Sequence, residues 1–270
     1  MNNDELNPFG EIFKKQADNL QKRQEKFKEV VESQHYKQEQ KFLYTFLTDA
    51  IETIRTISFY STRARQIYDE QLTIRASDDL IQSSIGILFL VENGIHNIAK
   101  REIRYLLEMI VKYLLVDQEC SGNLADRITY LNDNVPNSSI EVVDRLNLPF
   151  DEATNNQFRN DIRDVFYKAC AFTHPSRQQI EEQVKNYTKG VYIGFETAKM
   201  LDNVNNTVFR AYDLILTMLF IGFGHSMSGD LFIEIYDHNP KWKFHKGKYV
   251  KLYSKLFDYK VERQQKSDQS

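Results

Sequence analysis

The stretch IHNIAKREIRYLLEMIVKYLLVDQE, from Ile95 to Glu119, does most to limit what this chain can fold into. It contains no Gly or Pro and is apolar over most of a helical circumference, the pattern of a central helix with little exposure. Such a helix is stable only when other elements surround it. Two further stretches supply them. Phe42, Phe46, Ala50, Ile54 and Ile57 descend one helical face, and FETAKMLDNVNNTVFRAYDLILTMLFIGFG is strongly apolar from Val208 onward. With 10 Gly and 5 Pro in 270 residues, the chain lacks the turn formers of a hairpin-rich fold. The expectation is an all-α helical bundle.

Local signals punctuate the bundle. Asn93-Gly94 breaks the run LIQSSIGILFLVE, as a chain visiting positive φ requires, and Ser77 is placed to cap the helix that begins there. Residues 121–151 hold short candidate helices joined by NVPNSS and read as a loop-rich insertion or helical cap. In YKACAFTHPSRQQI, Pro175 disfavours helical geometry at His174, and Ser176 followed by Gln179 is a capping-box pattern. A helix boundary therefore explains Pro175 and Ser176 without any chemistry.

Residues 1–41 form a separate expectation. Lys, Glu and Gln dominate there, while Phe13, Leu20 and Phe27 recur at intervals of seven, with Val30 and Val31 after them. A narrow apolar stripe on a charged helix suits an arm laid on another helix, and the arm is expected to hold a protein partner or a second copy. The bundle is expected over 42–262 and a disordered tail over 263–270.

Composition excludes several classes. The net charge is −3, so the chain as a whole is no polycation. Cys120 and Cys170 are the two cysteines, without the spacing of a zinc site, and no Walker, Rossmann or metalloprotease motif occurs. No metal and no cofactor are therefore expected. The polar N-terminus lacks the apolar core of a signal peptide, and the runs Ile85–Val91 and Leu214–Gly224 fall short of the roughly 20 residues of a membrane span. A cytoplasmic protein that does not enter a membrane is expected.

Polar residues on the central helix supply the candidate site. Arg101, Arg104, Glu108 and Lys112 are spaced by three, four and four, which places them in one stripe. That stripe either faces water as a row of i, i+4 ion pairs or lines a polar cleft, where guanidinium forks would hold phosphate or carboxylate. His174, an imidazole that titrates near neutrality, is the residue that a helix boundary explains least. Cys170, four residues earlier, is read as a small core residue.

REIRYLLEMIVKYLL followed by a helix ending in THPS resembles bacterial all-helical proteins of the HEPN-like kind, associated with toxin and phage-defence systems. The resemblance covers about a third of the chain. It implies a polar centre of Arg104, Glu108 and His174 between two packed helices, acting on RNA without a metal. The spacing of Arg and His four to six residues apart, typical of HEPN ribonucleases, does not occur here.

One more segment bears on partners. Lys241 to Lys260 carries seven lysines, one acid and six aromatic residues. Lys243, Lys246, Lys248 and Lys251, with Trp242 to stack on bases, would suit RNA or single-stranded nucleic acid. The same stretch also fits a packed helix, with Tyr249, Leu252, Tyr253, Leu256 and Phe257 inward and the lysines as its solvated face. Two function classes follow: a defence or toxin-type protein acting on RNA, and a non-catalytic helical adaptor that binds a partner protein.

Overall fold

A computed structural model describes residues 8–137, 139–172, 176–188, 194 and 196–260. The described residues form helices and no strand, as the helical periodicity and the scarcity of turn formers dictate. The long helices are α1 (Pro8–Glu32), α2 (Gln34–Ser61), α5 (Ser77–Glu92), α6 (His96–Glu119), α8 (Glu152–Cys170) and α10 (Ala198–Phe223). Shorter ones are α3 (Arg65–Tyr68), α4 (Leu72–Arg75), α7 (Leu124–Asn134), α9 (Arg177–Thr188), α11 (His225–Leu231) and α12 (Lys248–Ser254).

Helix α10 packs against α2 and α6, α2 against α5, and α6 against α5 and α8. From Ala211 to Phe220 every residue of α10 is buried. Phe46, Ala50, Ile54 and Ile57 of α2 and Ile103, Leu106, Leu107 and Ile110 of α6 are fully buried as well. Each of these side chains except Ala50 stabilises the fold by about 1.5–3 kcal/mol before entropy is counted, so the apolar face of each helix dictates its neighbours. Helix α10 is long and apolar enough to cross a membrane by length and composition, more than the run Leu214–Gly224 suggested. Yet 67% of its most apolar window is buried inside the bundle, as befits a core helix.

Several local expectations meet the structure. Gly94 bends the chain between α5 and α6 at φ 69°, and Gln179 N donates to Ser176 Oγ at 3.1 Å at the start of α9. Ser77 does not cap α5: its hydroxyl donates back to Ile74 O at 2.6 Å, inside a buried corner where that carbonyl needs a partner. Within the expected cap, Glu141–Arg145 is a 3-10 turn rather than an α-helix. The arm ends earlier than expected. Ser33 accepts from Tyr36 N and starts α2, so residues 34–41 belong to the bundle, where Tyr36 is buried. The first two thirds of α1 stay outside, with Ile12, Phe13 and Leu20 exposed, while Val30 and Val31 near its end pack on the core.

Candidate functional site: the polar face of α6

Helix α8 lies along α6 so that its C-terminal end meets the polar stripe. Arg104 Nε donates to Cys170 Sγ at 3.1 Å, and the guanidinium stands 5.1 Å from the Phe166 ring centre. Its Nη2 reaches Glu108 Oε2 at 3.3 Å. The other oxygen of Glu108 accepts from Lys112 Nζ at 2.6 Å, and Lys112 donates again to Asn137 O at 2.9 Å. Arg101 Nε donates to Phe172 O. The i, i+4 ion pairs of the first reading are present but sheltered: the side chains of Arg104, Glu108 and Lys112 are only 22%, 14% and 11% exposed, while Arg101 is exposed. A row of ion pairs in open water would be far more exposed, and each pair would add little.

The electrostatics follow from this half-burial. Glu108 sits between two cations, which lowers the cost of holding a carboxylate out of water. Lys100, one residue before Arg101, lies over the Phe172 ring at 3.8 Å with Glu182 at 3.9 Å. Burial pushes the Lys100 pKa down, and the nearby Glu182 carboxylate opposes that shift. Among these described side chains, Lys100, Arg101 and Arg104 at the junction of α6 with the end of α8 face the carboxylates of Glu108 and Glu182, which leaves a small positive excess.

Beside it, an open cleft of about 350 Å³ runs between α6 and the turn after α7, lined by Tyr105, Glu108, Lys112, Tyr113, Asn132 and Asn137 among others. Burial, with Asp79 next, pushes the Tyr105 and Tyr113 phenols above their ordinary range, so both remain neutral hydroxyls. The cleft therefore offers hydroxyl, amide and ammonium donors around one carboxylate.

The other sequence candidates fall as follows. His174 lies outside the described residues. Arg163 and Tyr167, which share the α8 face of Cys170, are engaged by the 3-10 turn at 141–145: Arg163 pairs with Glu141 at 3.1 Å and with Asp144, and Tyr167 donates to Glu141 at 2.5 Å. Trp242 is not available to stack on bases. It is 3% exposed, its ring stacks on Tyr236 at 4.2 Å, and its Nε1 donates to Thr53 Oγ1 at 3.1 Å, because the indole is the apolar plug between α2 and the C-terminal segment. Lys243 is half-exposed, and its backbone N–H donates to Asp49 at 2.7 Å. Lys248 pairs with Asp161 at 2.8 Å. Lys246 and Lys251 are exposed.

Sequence reasoning missed a buried polar trio. Glu196 is 3% exposed, accepts from Tyr36 OH at 2.5 Å and meets His96 Nε2 at 2.5 Å. Burial first, then the Glu196 bond, pushes the Tyr36 phenol far up. The trio pins α2, the start of α6 and the approach to α10 together, and no local motif around any of the three residues announces it. Among the described residues, no three His, Cys, Asp or Glu side chains gather as a metal would require. No family model matches this chain, and neither a curated protein nor a solved structure matches it.

Proposed function

We propose that this chain is a defence or toxin-type helical protein that engages RNA phosphates at the junction of α6 and α8, in keeping with its resemblance to HEPN-like proteins. The observation that carries the reading is the half-buried placement of Arg104 between Glu108, Phe166 and Cys170, beside Lys100 and Arg101. A guanidinium held on its Glu108 side keeps donors for a phosphate, and partial burial strengthens that contact relative to water. In this reading Arg104 neutralises charge on the phosphate, Glu108 holds Arg104 and Lys112 in register, and His174 moves the proton between an attacking 2′-hydroxyl and the leaving oxygen. No metal is needed for these roles.

The test is RNA binding and cleavage by the wild type, Arg104→Ala, Arg104→Lys and His174→Ala. Binding by the wild type should weaken about tenfold in Arg104→Ala, a loss near 1.4 kcal/mol, and recover in part with lysine. His174→Ala should bind as the wild type does and lose cleavage. RNA binding that is indifferent to Arg104, in folded variants, would overturn the reading. A second reading, the non-catalytic adaptor, is favoured by one observation of its own: α1 carries Phe13 and Leu20 exposed at 67% and 47%, which nothing in the RNA reading uses.

A further inference from the structure

Helix α1 holds a seam that the other described residues leave open over its first two thirds. Phe13, Leu20 and Phe27 recur every seven residues, and Ala17, Gln24 and Val31 follow each of them by four. This is the 4-3 alternation of a two-helix packing seam, with one polar position at Gln24 that fixes register. At its C-terminal end the seam is already used. Phe27 meets the Tyr36 ring edge-on at 6.3 Å, and Val30 and Val31 pack on the core. Over the first two thirds it is uncovered, with Phe13 and Leu20 exposed.

The charged residues on the two shoulders of the seam are basic. At ~100° per residue, Lys14 and Lys28 fall on one shoulder and Arg23 on the other, whereas Lys15, Lys22 and Lys26 share the far side of the helix with Glu11, Asp18, Glu25 and Glu29. Glu25 is also held by Gln21 Nε2 at 3.2 Å. An apolar seam with basic shoulders selects its occupant. A second α1 laid parallel would set Arg23 against Lys28, and an antiparallel copy would again meet cations with cations, so self-pairing is opposed. A membrane surface would want a wide apolar face, yet this stripe is narrow and interrupted by Gln16 and Gln24.

We infer that α1 is a docking rail for one helix of a partner protein, a helix with an apolar heptad seam and acidic residues on both shoulders. This rests on the adaptor reading and adds the chemistry of the partner to it. The partner's carboxylates would face Lys14 and Lys28 on one side and Arg23 on the other, and its apolar seam would cover Phe13, Ala17 and Leu20. A helix with basic shoulders would meet like charges and be disfavoured, which is where such shoulders contribute most.

The experiment uses the full chain with designed helical peptides that share one Leu/Ile seam and differ only in having Glu, Gln or Lys on the shoulders. Affinity is read by fluorescence anisotropy at two salt concentrations. The Glu peptide should bind at least about tenfold more tightly than the Lys peptide, with a preference that shrinks as salt rises. Phe13→Ser/Leu20→Ser should lose binding while circular dichroism stays unchanged, and Lys14→Glu/Lys28→Glu should reverse the preference. Equal binding of all three peptides through Phe13 and Leu20 would overturn the acidic partner but leave the adaptor reading standing. Binding of none would sink both. Self-association that Phe13→Ser/Leu20→Ser abolishes, or capture by phosphatidylserine vesicles without peptide binding, would replace the partner helix with a second copy or a membrane.

Discussion

Two aspartates show how single residues hold this fold where helix propensity cannot. Helices α4 and α12, of 4 and 7 residues, are too short to persist alone. Asp117 of α6 accepts from Leu72 N at 3.0 Å and Thr73 N at 2.8 Å and is paired with Arg127 at 2.7 Å, which fixes the start of α4. Asp213 of α10 accepts from Tyr249 N at 2.9 Å and Val250 N at 3.0 Å, which fixes α12. Gly247 is required beside it, since a Cβ there would stand 2.2 Å from Asp213 Oδ1. Asp213→Ala should cost about 2–5 kcal/mol, because two buried N–H groups lose their acceptor. The pH dependence has a definite sign. Burial, the largest influence, raises the Asp213 pKa, while the backbone N–H groups and Lys248 pull it down. A raised carboxyl keeps its proton in the folded state at pH values where the unfolded chain has lost it. Its titration therefore favours folding below the ordinary aspartate range and ceases to do so as pH rises through the folded value. The stability of the wild type relative to Asp213→Asn should accordingly be greater near pH 4 than near pH 7 in denaturant titrations. A gap that widens toward neutrality would mean that the carboxylate caps α12 better than the acid does.

Among elements, α1 and α2 separate two kinds of helix that look alike in composition. Periodicity made both legible, since Phe13, Leu20 and Phe27 mark one stripe and Phe42, Phe46 and Ala50 the other. The joint between them was not legible. Ser33 begins α2 by accepting from Tyr36 N at 3.3 Å, and Tyr36 gains its place from Glu196, 160 residues away in sequence, which no local pattern reveals. The same limit applies to Ser77, whose hydroxyl could either cap α5 or return to Ile74 O; burial of that corner decides for the second. Truncation separates the two helices. Removing residues 1–32 should leave circular dichroism per residue and the unfolding midpoint close to those of the full chain, because the lost side chains are mostly exposed. Removing residues 1–40 also takes Tyr36, buried to 1% and bonded to Glu196, and should cost about 3–5 kcal/mol, the range for deleting a large core aromatic. Equal stability of the two truncated chains would place Tyr36 outside the cooperative core.

Across the whole molecule, net charge conceals two local positive fields, the α6–α8 junction and the C-terminal lysines. The first was partly legible: spacings of three and four put Arg101, Arg104, Glu108 and Lys112 on one face, but only the folded chain brings Cys170 and Phe166 against Arg104. The second misled at one residue. Lysines interleaved with aromatics have the same composition whether the rings face nucleic acid or core, and Trp242 faces the core because Tyr236 and Thr53 meet it there. Counterion release separates the contributions. On a single strand each phosphate contact steepens the fall of log affinity with log salt by about 0.7. If RNA runs over both fields, Lys246→Gln/Lys251→Gln should reduce the slope by about 1.4 and Arg104→Ala by about 0.7, with additive losses in the triple variant. Lys248→Gln should change it less, because Asp161 already occupies that ammonium at 2.8 Å. Anisotropy with a short unstructured RNA between 50 and 200 mM salt, a range across which phosphate contacts weaken strongly, measures the slopes of the wild type and the four variants. A reduction confined to the lysine variants would assign RNA to the C-terminal segment and leave Arg104 as packing between α6 and α8. No binding by the wild type at the lowest salt would remove RNA from both fields and leave α1 as the working surface of the protein.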